Sequence, residues 1–202
     1  MKNIARLRDF IQSFTRLTEY GDGNEERIFA DGRKLLSDLV NHDDWLPDEF
    51  AEPRPERYQQ YLLYCDPMER FSVVSFVWGP GQTTPVHDHT VWGMVGILRG
   101  AETCEEFETE LATGRLRATG SHQLPCGSID LVSPRIGDIH RVSNALADRA
   151  SVSIHVYGAN IGAVSRHTYE PDTGRKKTFI SGYSKNVTPN IWDRSAEMAI
   201  VE

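Results

Sequence analysis

Residues 85–98 read Pro-Val-His-Asp-His-Thr-Val-Trp-Gly-Met-Val-Gly-Ile-Leu, and this stretch decides how the rest of the chain is interpreted. It is rich in Val, Ile, Leu and Trp, which favours a strand over a helix. Residues i and i+2 of a strand face the same side, so His87 and His89 are predicted to project together and Asp88 away from them. Two adjacent imidazoles indicate a metal site, although two ordinary strand histidines fit the same pattern.

A second segment, residues 127–144, contains a turn at 134–137 that delivers His140 to the start of another strand. Together the two segments resemble the paired motifs of the cupin superfamily, small β-barrels that hold a metal by histidines from both motifs. The acidic ligand usual in the first motif would fall near Gly93, where no Asp or Glu is present. The resemblance therefore implies a site of three histidines without a carboxylate: His87, His89 and His140.

Length and composition bound the remaining possibilities. The 202 residues suit one domain, predicted over residues 1–202. A net charge of −7 argues against nucleic acid or an anionic membrane as partner. We find neither an apolar run long enough to span a bilayer nor a signal-peptide core, and the three cysteines lack a Cys-x-x-Cys spacing. These features favour a reducing, cytoplasmic location.

The first 45 residues are predicted to be helical. Residues 4–17 place apolar side chains at spacings of three and four, and Asn24 is a candidate N-cap for a second helix that runs to about Asn41. A groove for a partner is one interpretation of these apolar stripes. The favoured one is a helix pair packed on the outside of a barrel.

From residue 58 onward the chain is predicted to be mostly β. Short runs rich in Val, Ile, Tyr, Phe and Thr alternate with turn signals, which is typical of a sandwich or barrel. We predict a cupin barrel (a double-stranded β-helix, or jelly roll) over residues 58–182, with a tail at 183–202 packed on it. The predicted strands are 58–65, 71–78, 93–98, 104–110, 116–120, 127–132, 140–144, 151–157 and 177–181.

The strand predicted at 151–157 alternates strictly, so Ser153, His155 and Tyr157 share one face. A solvated strand face is compatible with this pattern. If the face instead lines a barrel interior, each polar group needs a partner, and a chain of hydrogen bonds from hydroxyl to imidazole to phenol satisfies all three.

The His-Asp-His motif, His140, and a Ser-x-His-x-Tyr motif thirteen residues beyond it resemble the cysteine dioxygenase family of thiol dioxygenases. The resemblance implies a cupin barrel holding one Fe(II) per chain by the three histidines, with Ser153, His155 and Tyr157 as a catalytic relay. It also implies the reaction, in which both atoms of O2 are added to the sulfur of a small mercapto-carboxylate to give a sulfinic acid.

Two departures from the animal enzymes resemble the bacterial 3-mercaptopropionate dioxygenase branch. Gly93 occupies the position of a cysteine that crosslinks to the tyrosine, and Gln60 that of an arginine that binds the substrate carboxylate. In the bacterial branch an arginine from elsewhere has that role, and Arg166 matches its position. The resemblance thus implies substrate contacts from Arg166 and Gln60. A surface arginine in a hairpin is the alternative for Arg166.

Other functions remain as alternatives at this stage. Metal cupins with isomerase or ring-cleaving activity usually retain the acid that is missing here, and a metal-free or zinc-binding cupin that senses a small ligand belongs to a different class. The sequence leaves open the oligomeric state, the metal loaded, and the preference between 3-mercaptopropionate and L-cysteine, since three histidines also suit other metals.

Overall fold

Two antiparallel sheets face one another in the computed structural model, which describes residues 2–20, 23–194 and 197. Two helices, α1 (Ala5–Tyr20) and α2 (Glu25–Val40), precede them. The strands are β1 (Gln59–Cys65), β2 (Ser72–Trp78), β3 (Val86–His87), β4 (Gly93–Arg99), β5 (Ala101–Thr109), β6 (Leu116–Pro125), β7 (Ile129–Val132), β8 (His140–Asn144), β9 (Ser151–Tyr157), β10 (Arg166–Tyr169) and β11 (Lys176–Phe179).

The strand order is β1-β2-β9-β4-β7 in one sheet, here called sheet I, and β11-β10-β3-β8-β5-β6 in the other, sheet II. Strands adjacent in space are often distant in the chain, as in a jelly roll. The prediction of a mostly β cupin barrel with N-terminal helices outside is confirmed.

Sheet I is buried on both faces because the helices cover the side that faces away from sheet II. In β2 and β9 every residue is buried. Alternate side chains such as Val73 and Ile154 pack in one apolar cluster with the helices, whereas Val74 and Phe76 pack in a second cluster with side chains of sheet II. The barrel interior is therefore enclosed on this side by two layers of structure.

The two helices show the N-cap and the buried apolar stripes that the sequence predicted. The Asn24 side chain accepts a hydrogen bond from the backbone N–H of Arg27 and caps α2, as predicted. The buried stripe of α1 includes Phe10 and Phe14, and that of α2 includes Leu36 and Val40. Neither helix combines the length and apolar content needed to cross a membrane, a finding that covers the residues described above.

The strand predictions hold with one omission and one error. The short strand β10 was not predicted, whereas β3 lies at the start of the 85–98 stretch that was interpreted as a strand. His89 was expected on the same strand as His87, but β3 ends at His87 and Thr90 has a left-handed backbone (φ 60°). The carboxylate of Asp138 accepts hydrogen bonds from the backbone N–H groups of His89 and Thr90. These bonds replace the ones that a neighbouring strand would make there.

The described part of the predicted tail contacts both the barrel and the helices, and Ser184 exchanges hydrogen bonds with the backbone of Gln60 on β1. Ile191 is buried in the helix-side cluster, and Nη1 of Arg8 on α1 donates to its carbonyl oxygen over 2.9 Å. Residues 195–196 and 198–202 of the tail lie outside the described residues.

The close approach of α2 to sheet I depends on Gly96, which generates a stability prediction. A Cβ there would lie 2.9 Å from Val40 Cγ1 and 3.0 Å from Leu36 Cγ. We expect Gly96→Val to lower the free energy of unfolding by about 1–3 kcal/mol through overpacking, measured by urea denaturation.

Gly120→Val is the matched control, because Gly120 lies on the exposed strand β6 and a Cβ there meets only the end of the Glu106 side chain. This control is expected to change stability by less than about 0.5 kcal/mol. Equal losses in the two variants would show that helix packing is not the cause.

Candidate metal centre

Three imidazoles converge in the barrel interior from neighbouring strands of sheet II. His87 ends β3 and pairs directly with His140, the first residue of β8, and His89 follows two residues later. Their ring centroids are 4.8–4.9 Å apart, and the potential ligand nitrogens lie within 4.8 Å of one another. The structure thus brings together all three histidines that the sequence predicted as ligands.

One nitrogen of each ring is already engaged. Nδ1 of His87 lies 3.1 Å from the carbonyl oxygen of Pro85, Nδ1 of His89 lies 2.9 Å from an oxygen of Asp138, and Nδ1 of His140 lies 3.5 Å from the sulfur of Cys104. With Nδ1–H donating to these groups, Nε2 of each ring keeps its lone pair. This arrangement is typical of metal-binding histidines, whose second nitrogen is oriented by a hydrogen bond.

The protonation state also suits a metal. Burial lowers the pKa of His87 to about 4 and holds the pKa values of His89 and His140 well below their usual range. The rings are therefore neutral at pH 7, which is the form that binds metal ions. Three neutral nitrogen donors without a carboxylate fit a divalent transition metal and suit magnesium or calcium poorly.

Two aspartates beside the histidines have different roles. Asp138 orients His89 through the ring nitrogen and the backbone N–H together. Asp88 instead accepts hydrogen bonds from the backbone N–H of His167 and the hydroxyl of Tyr169 on β10, so it ties β10 to this segment and points away from the histidine cluster.

The residues Ser153, His155 and Tyr157, here called the relay, form a buried hydrogen-bonded chain on β9. Ser153 Oγ lies 2.8 Å from His155 Nε2, and His155 Nδ1 lies 2.8 Å from Tyr157 Oη. Their common face is directed into the barrel and not to solvent. The Tyr157 ring stacks on His89 at a centroid distance of 5.3 Å, so the end of the relay contacts the three-histidine cluster.

Gly93 lies directly opposite Tyr157 in the pairing of β4 with β9. A Cβ at this position would lie 2.8 Å from Cδ1 of the tyrosine ring, so a larger residue here would press on the phenol. Cys104 lies on sheet II, where its sulfur contacts His140. The place opposite Tyr157 is therefore occupied by a residue that can form no thioether.

A cavity of about 150 Å³ connects the three histidines, the relay and Arg166. Its apolar wall includes Phe76, Trp78 and Val142, and none of its lining residues is an aspartate or glutamate. A low-polarity wall around a few convergent polar groups is the usual form of a small-molecule site.

Arg166 carries the only fixed charge among the residues that line this cavity. It is 3% exposed, which is incompatible with a surface arginine. Its Nη2 donates to Ser181 Oγ over 2.6 Å, its guanidinium lies 4.8 Å from the Phe179 ring, and its Nε has no hydrogen-bond partner. No ion pair in the described part of the chain includes it. An unpaired buried guanidinium indicates an anionic ligand.

Gln60 lines the same cavity, but its amide group is largely used within the protein. Nε2 donates to Ser181 Oγ over 2.8 Å and to the carbonyl oxygen of Gly182 over 2.7 Å. Because Ser181 also accepts from Arg166, Gln60 and Arg166 are joined through one hydroxyl. Gln60 therefore helps to position the guanidinium.

Sequence reasoning did not identify Ser181, Phe179 or Glu102. Ser181 and Phe179 reach the cavity through the pairing of β11 with β10, and no local pattern signals that contact. Glu102 is completely buried on β5 but resembles the exposed Glu106 and Glu108 of the same strand in sequence. Glu102 differs from these glutamates only in where the pairing of β5 with β6 and β8 places it in the barrel.

The chain matches the family model described as cysteine dioxygenase type I over residues 33–170. It is similar to cysteine dioxygenase type 1 of Danio rerio, with 26% identity over 186 residues that cover 89% of this chain and 88% of the relative. Solved structures that resemble it include a protein with a double-stranded β-helix domain from Klebsiella pneumoniae, at 19% identity and a TM-score of 0.43, covering 57% of this chain and 89% of that one. A cupin superfamily protein from Desulfitobacterium hafniense is 13% identical, with a TM-score of 0.43, covering 59% of this chain and 94% of that one.

The geometry predicts which substitutions remove the metal. We expect His140→Ala to abolish binding of a divalent transition-metal ion, because only two ligand nitrogens remain. Asp138→Asn, which weakens the orientation of His89, is expected to reduce metal affinity by about 10- to 100-fold. Metal content after anaerobic reconstitution, measured by elemental analysis, tests both.

Asp130→Asn serves as the matched control. Cys104, His122 and Asp130 form a second group whose potential ligand atoms lie within 4.8 Å of one another. If the ion is held by the three histidines, Asp130→Asn retains it. Metal that persists in His140→Ala and is lost in Asp130→Asn would place the ion in the second group.

Proposed function

We propose that this chain, which belongs to the cysteine dioxygenase type I family, is an iron thiol dioxygenase acting on a small mercapto-carboxylate. The observation that carries the proposal is one cavity that joins the three neutral imidazoles to an unpaired buried guanidinium, Arg166. The overall reaction is RSH + O2 → RSO2H. Both oxygen atoms end on sulfur, and the sulfur supplies the electrons, so no further reductant is needed.

The three histidines would hold Fe(II), one ion per chain. When bound, the ion supplies open coordination positions for a thiolate and O2 and the redox chemistry between them. Because the ligands are neutral, a site of this kind keeps its full positive charge. With an ion bound, that charge would favour the thiolate form of the substrate, although a free thiol has a pKa of about 8.5.

Arg166 would bind the substrate carboxylate. Its partnerless Nε and its Nη2, which contacts Ser181, lie on a planar group suited to bidentate pairing with a carboxylate. In the low-polarity cavity this pairing is stronger than in water. The separation between Arg166 and the histidines would then select the length of the carbon chain between sulfur and carboxylate.

The cavity composition supports 3-mercaptopropionate over L-cysteine. An α-ammonium group would require an anionic or strongly accepting partner, and no acidic side chain lines the cavity. 3-Mercaptopropionate presents the same sulfur and a carboxylate without that cation, so it leaves no charge unpaired beside Arg166.

Tyr157 would donate a hydrogen bond to the reacting groups from the end of the relay. Burial raises the pKa of Tyr157 above its usual value, so the phenol remains protonated at neutral pH. Its ring is fixed by stacking on His89 and by the hydrogen bond to His155. A donor held in place in this way needs no reorganisation during the reaction.

The proposal extends to partners and location. The partners are a small thiol carboxylate and O2, and the net charge of −7 argues against nucleic acid. Cys65, Cys104 and Cys126 are free thiols, which supports a reducing compartment, proposed to be the cytoplasm.

Substitution of Arg166 tests carboxylate binding. We expect Arg166→Ala to lower kcat/KM for 3-mercaptopropionate by about 10- to 100-fold, the loss of a charge-assisted hydrogen-bonded pair. The value for cysteamine, which has no carboxylate, should change little. Oxygen uptake measures both.

Arg141→Gln is the control, because Arg141 lies on β8 and pairs with Glu105 outside the cavity. It should leave both substrates unaffected. Equal losses for 3-mercaptopropionate and cysteamine in Arg166→Ala would exclude a specific role in carboxylate binding.

Substrate preference is tested by oxygen uptake of the iron-loaded protein with 3-mercaptopropionate and L-cysteine at equal concentrations. We expect a higher kcat/KM for 3-mercaptopropionate because no acidic residue lines the cavity. A preference for L-cysteine would contradict this reasoning, and absence of uptake with either thiol would contradict the proposed activity.

A further inference from the structure

Glu102 is a completely buried carboxyl group behind the relay. It lies on β5, and Ser151 Oγ of β9 donates to its Oε1 over 3.4 Å. Its Oε2 is buried without a hydrogen-bond partner. An ionised carboxylate with an unpaired oxygen in such a place is very unfavourable, whereas a protonated carboxyl is tolerated far better.

The groups that face Glu102 carry no compensating charge. The adjacent strands place Leu124 of β6 and Asn144 of β8 opposite it, and Ser151 and Trp78 approach from sheet I. The titratable groups that interact with it are Cys104 and Tyr157, and neither is a cation. Burial therefore raises the pKa of Glu102 to about 8, well above its usual value of 4.5.

We propose that Glu102 holds a proton in the folded protein and thereby sets the direction of the hydrogen bonds in the relay, so that the Tyr157 hydroxyl hydrogen faces the cavity. Glu102 does not line the cavity and does not contact the three-histidine cluster. It is a positioning residue that acts through Ser153, which lies on the same face of β9 two residues from Ser151, the hydrogen-bond partner of Glu102. The consequence for catalysis rests on the proposed function, whereas the protonation of Glu102 does not.

The direction follows from the number of donors. Trp78 Nε1–H can only donate, and it donates to Ser153 Oγ over 3.3 Å. Ser153 then has one hydrogen to give. When Glu102 is neutral, this hydrogen goes to His155 Nε2, the ring carries its hydrogen on Nδ1, and Nδ1–H donates to Tyr157 Oη. The phenol hydrogen is left for the cavity.

Ionisation of Glu102 reverses this order. A carboxylate can only accept, so it competes for the hydrogen of Ser153. His155 must then donate from Nε2 to Ser153, its Nδ1 becomes an acceptor, and the Tyr157 hydrogen turns away from the cavity towards the imidazole. The tautomer of His155 therefore reports the state of Glu102.

The first test measures the proton directly in the full-length, metal-free protein. We expect the infrared spectrum near pH 6 to contain the carbonyl band of a buried protonated carboxyl, absent from Glu102→Gln and lost on titration to about pH 10. Glu108→Gln, at an exposed position of the same strand, should keep the band. A wild-type spectrum that is the same as that of Glu102→Gln would overturn the proposal.

Unfolding provides an independent check of the same proton. Between about pH 4.5 and 8 the folded state keeps a proton that the unfolded state has lost, so stability falls as pH rises. The unfolding equilibrium constant of wild type relative to Glu102→Gln should rise by about tenfold per pH unit in this window and level off above it. A ratio independent of pH would contradict a retained proton.

The second test reads the tautomer of His155 by ¹⁵N NMR of labelled imidazoles, with the signals assigned by comparison with His155→Gln. Wild type should change from the Nδ1–H to the Nε2–H form as Glu102 ionises, whereas Glu102→Gln should retain the Nδ1–H form throughout. In the iron-loaded enzyme, we expect the kcat of wild type to decrease above about pH 8, where Glu102 ionises, and we expect no such decrease in Glu102→Gln.

These outcomes separate the two proposals. If the tautomer of His155 does not change when Glu102 ionises, the positioning role is overturned, whatever the activity of the enzyme. A tautomer that changes as expected, in a protein that oxidises no thiol, would count against the proposed function and leave the role of Glu102 standing.

Discussion

Burial of polar side chains inside a closed barrel is the constraint on which this structure depends. The space between the sheets holds four imidazoles, a phenol, a guanidinium and a carboxyl, each withdrawn from water. Groups of this kind are tolerated when they are neutral or hydrogen-bonded. The requirement for neutrality leaves the imidazole nitrogens available for a metal, and the requirement for hydrogen bonds organises the relay.

Arg166 is the exception, and in the proposed function it is the group that selects the substrate. The other buried groups can become neutral by a change of proton state, but a guanidinium remains charged. The protein supplies it with a hydroxyl from Ser181 and an aromatic face from Phe179, and no carboxylate pairs with it in the described part of the chain. An unpaired buried charge lowers stability, and under the proposed function the bound carboxylate of the substrate would offset that loss.

Much of this could be predicted from the sequence. The alternation of 151–157 predicted that Ser153, His155 and Tyr157 share one strand face, and the resemblance to cupin motifs implied that His87, His89 and His140 lie together, as they do in the structure. Other features could not be predicted, for two reasons. The strand pattern of 85–98 does not show that β3 ends at His87, because that end depends on Asp138 from a distant segment, and the contact of Gln60 with Ser181 joins segments more than 100 residues apart.

By itself the sequence determined that the chain forms a mostly β barrel covered by two helices, since apolar periodicity, capping residues and turn signals are local properties of the chain. It also determined which side chains share a strand face. The tertiary structure alone decided that the Asp138 carboxylate turns the backbone at His89 and that Arg166 is buried without an ion partner in the described part of the chain. It also decided that Glu102 lies behind the relay while Glu106 and Glu108 of the same strand are exposed. These features depend on which strands become adjacent, and strand adjacency is decided by packing of the whole barrel.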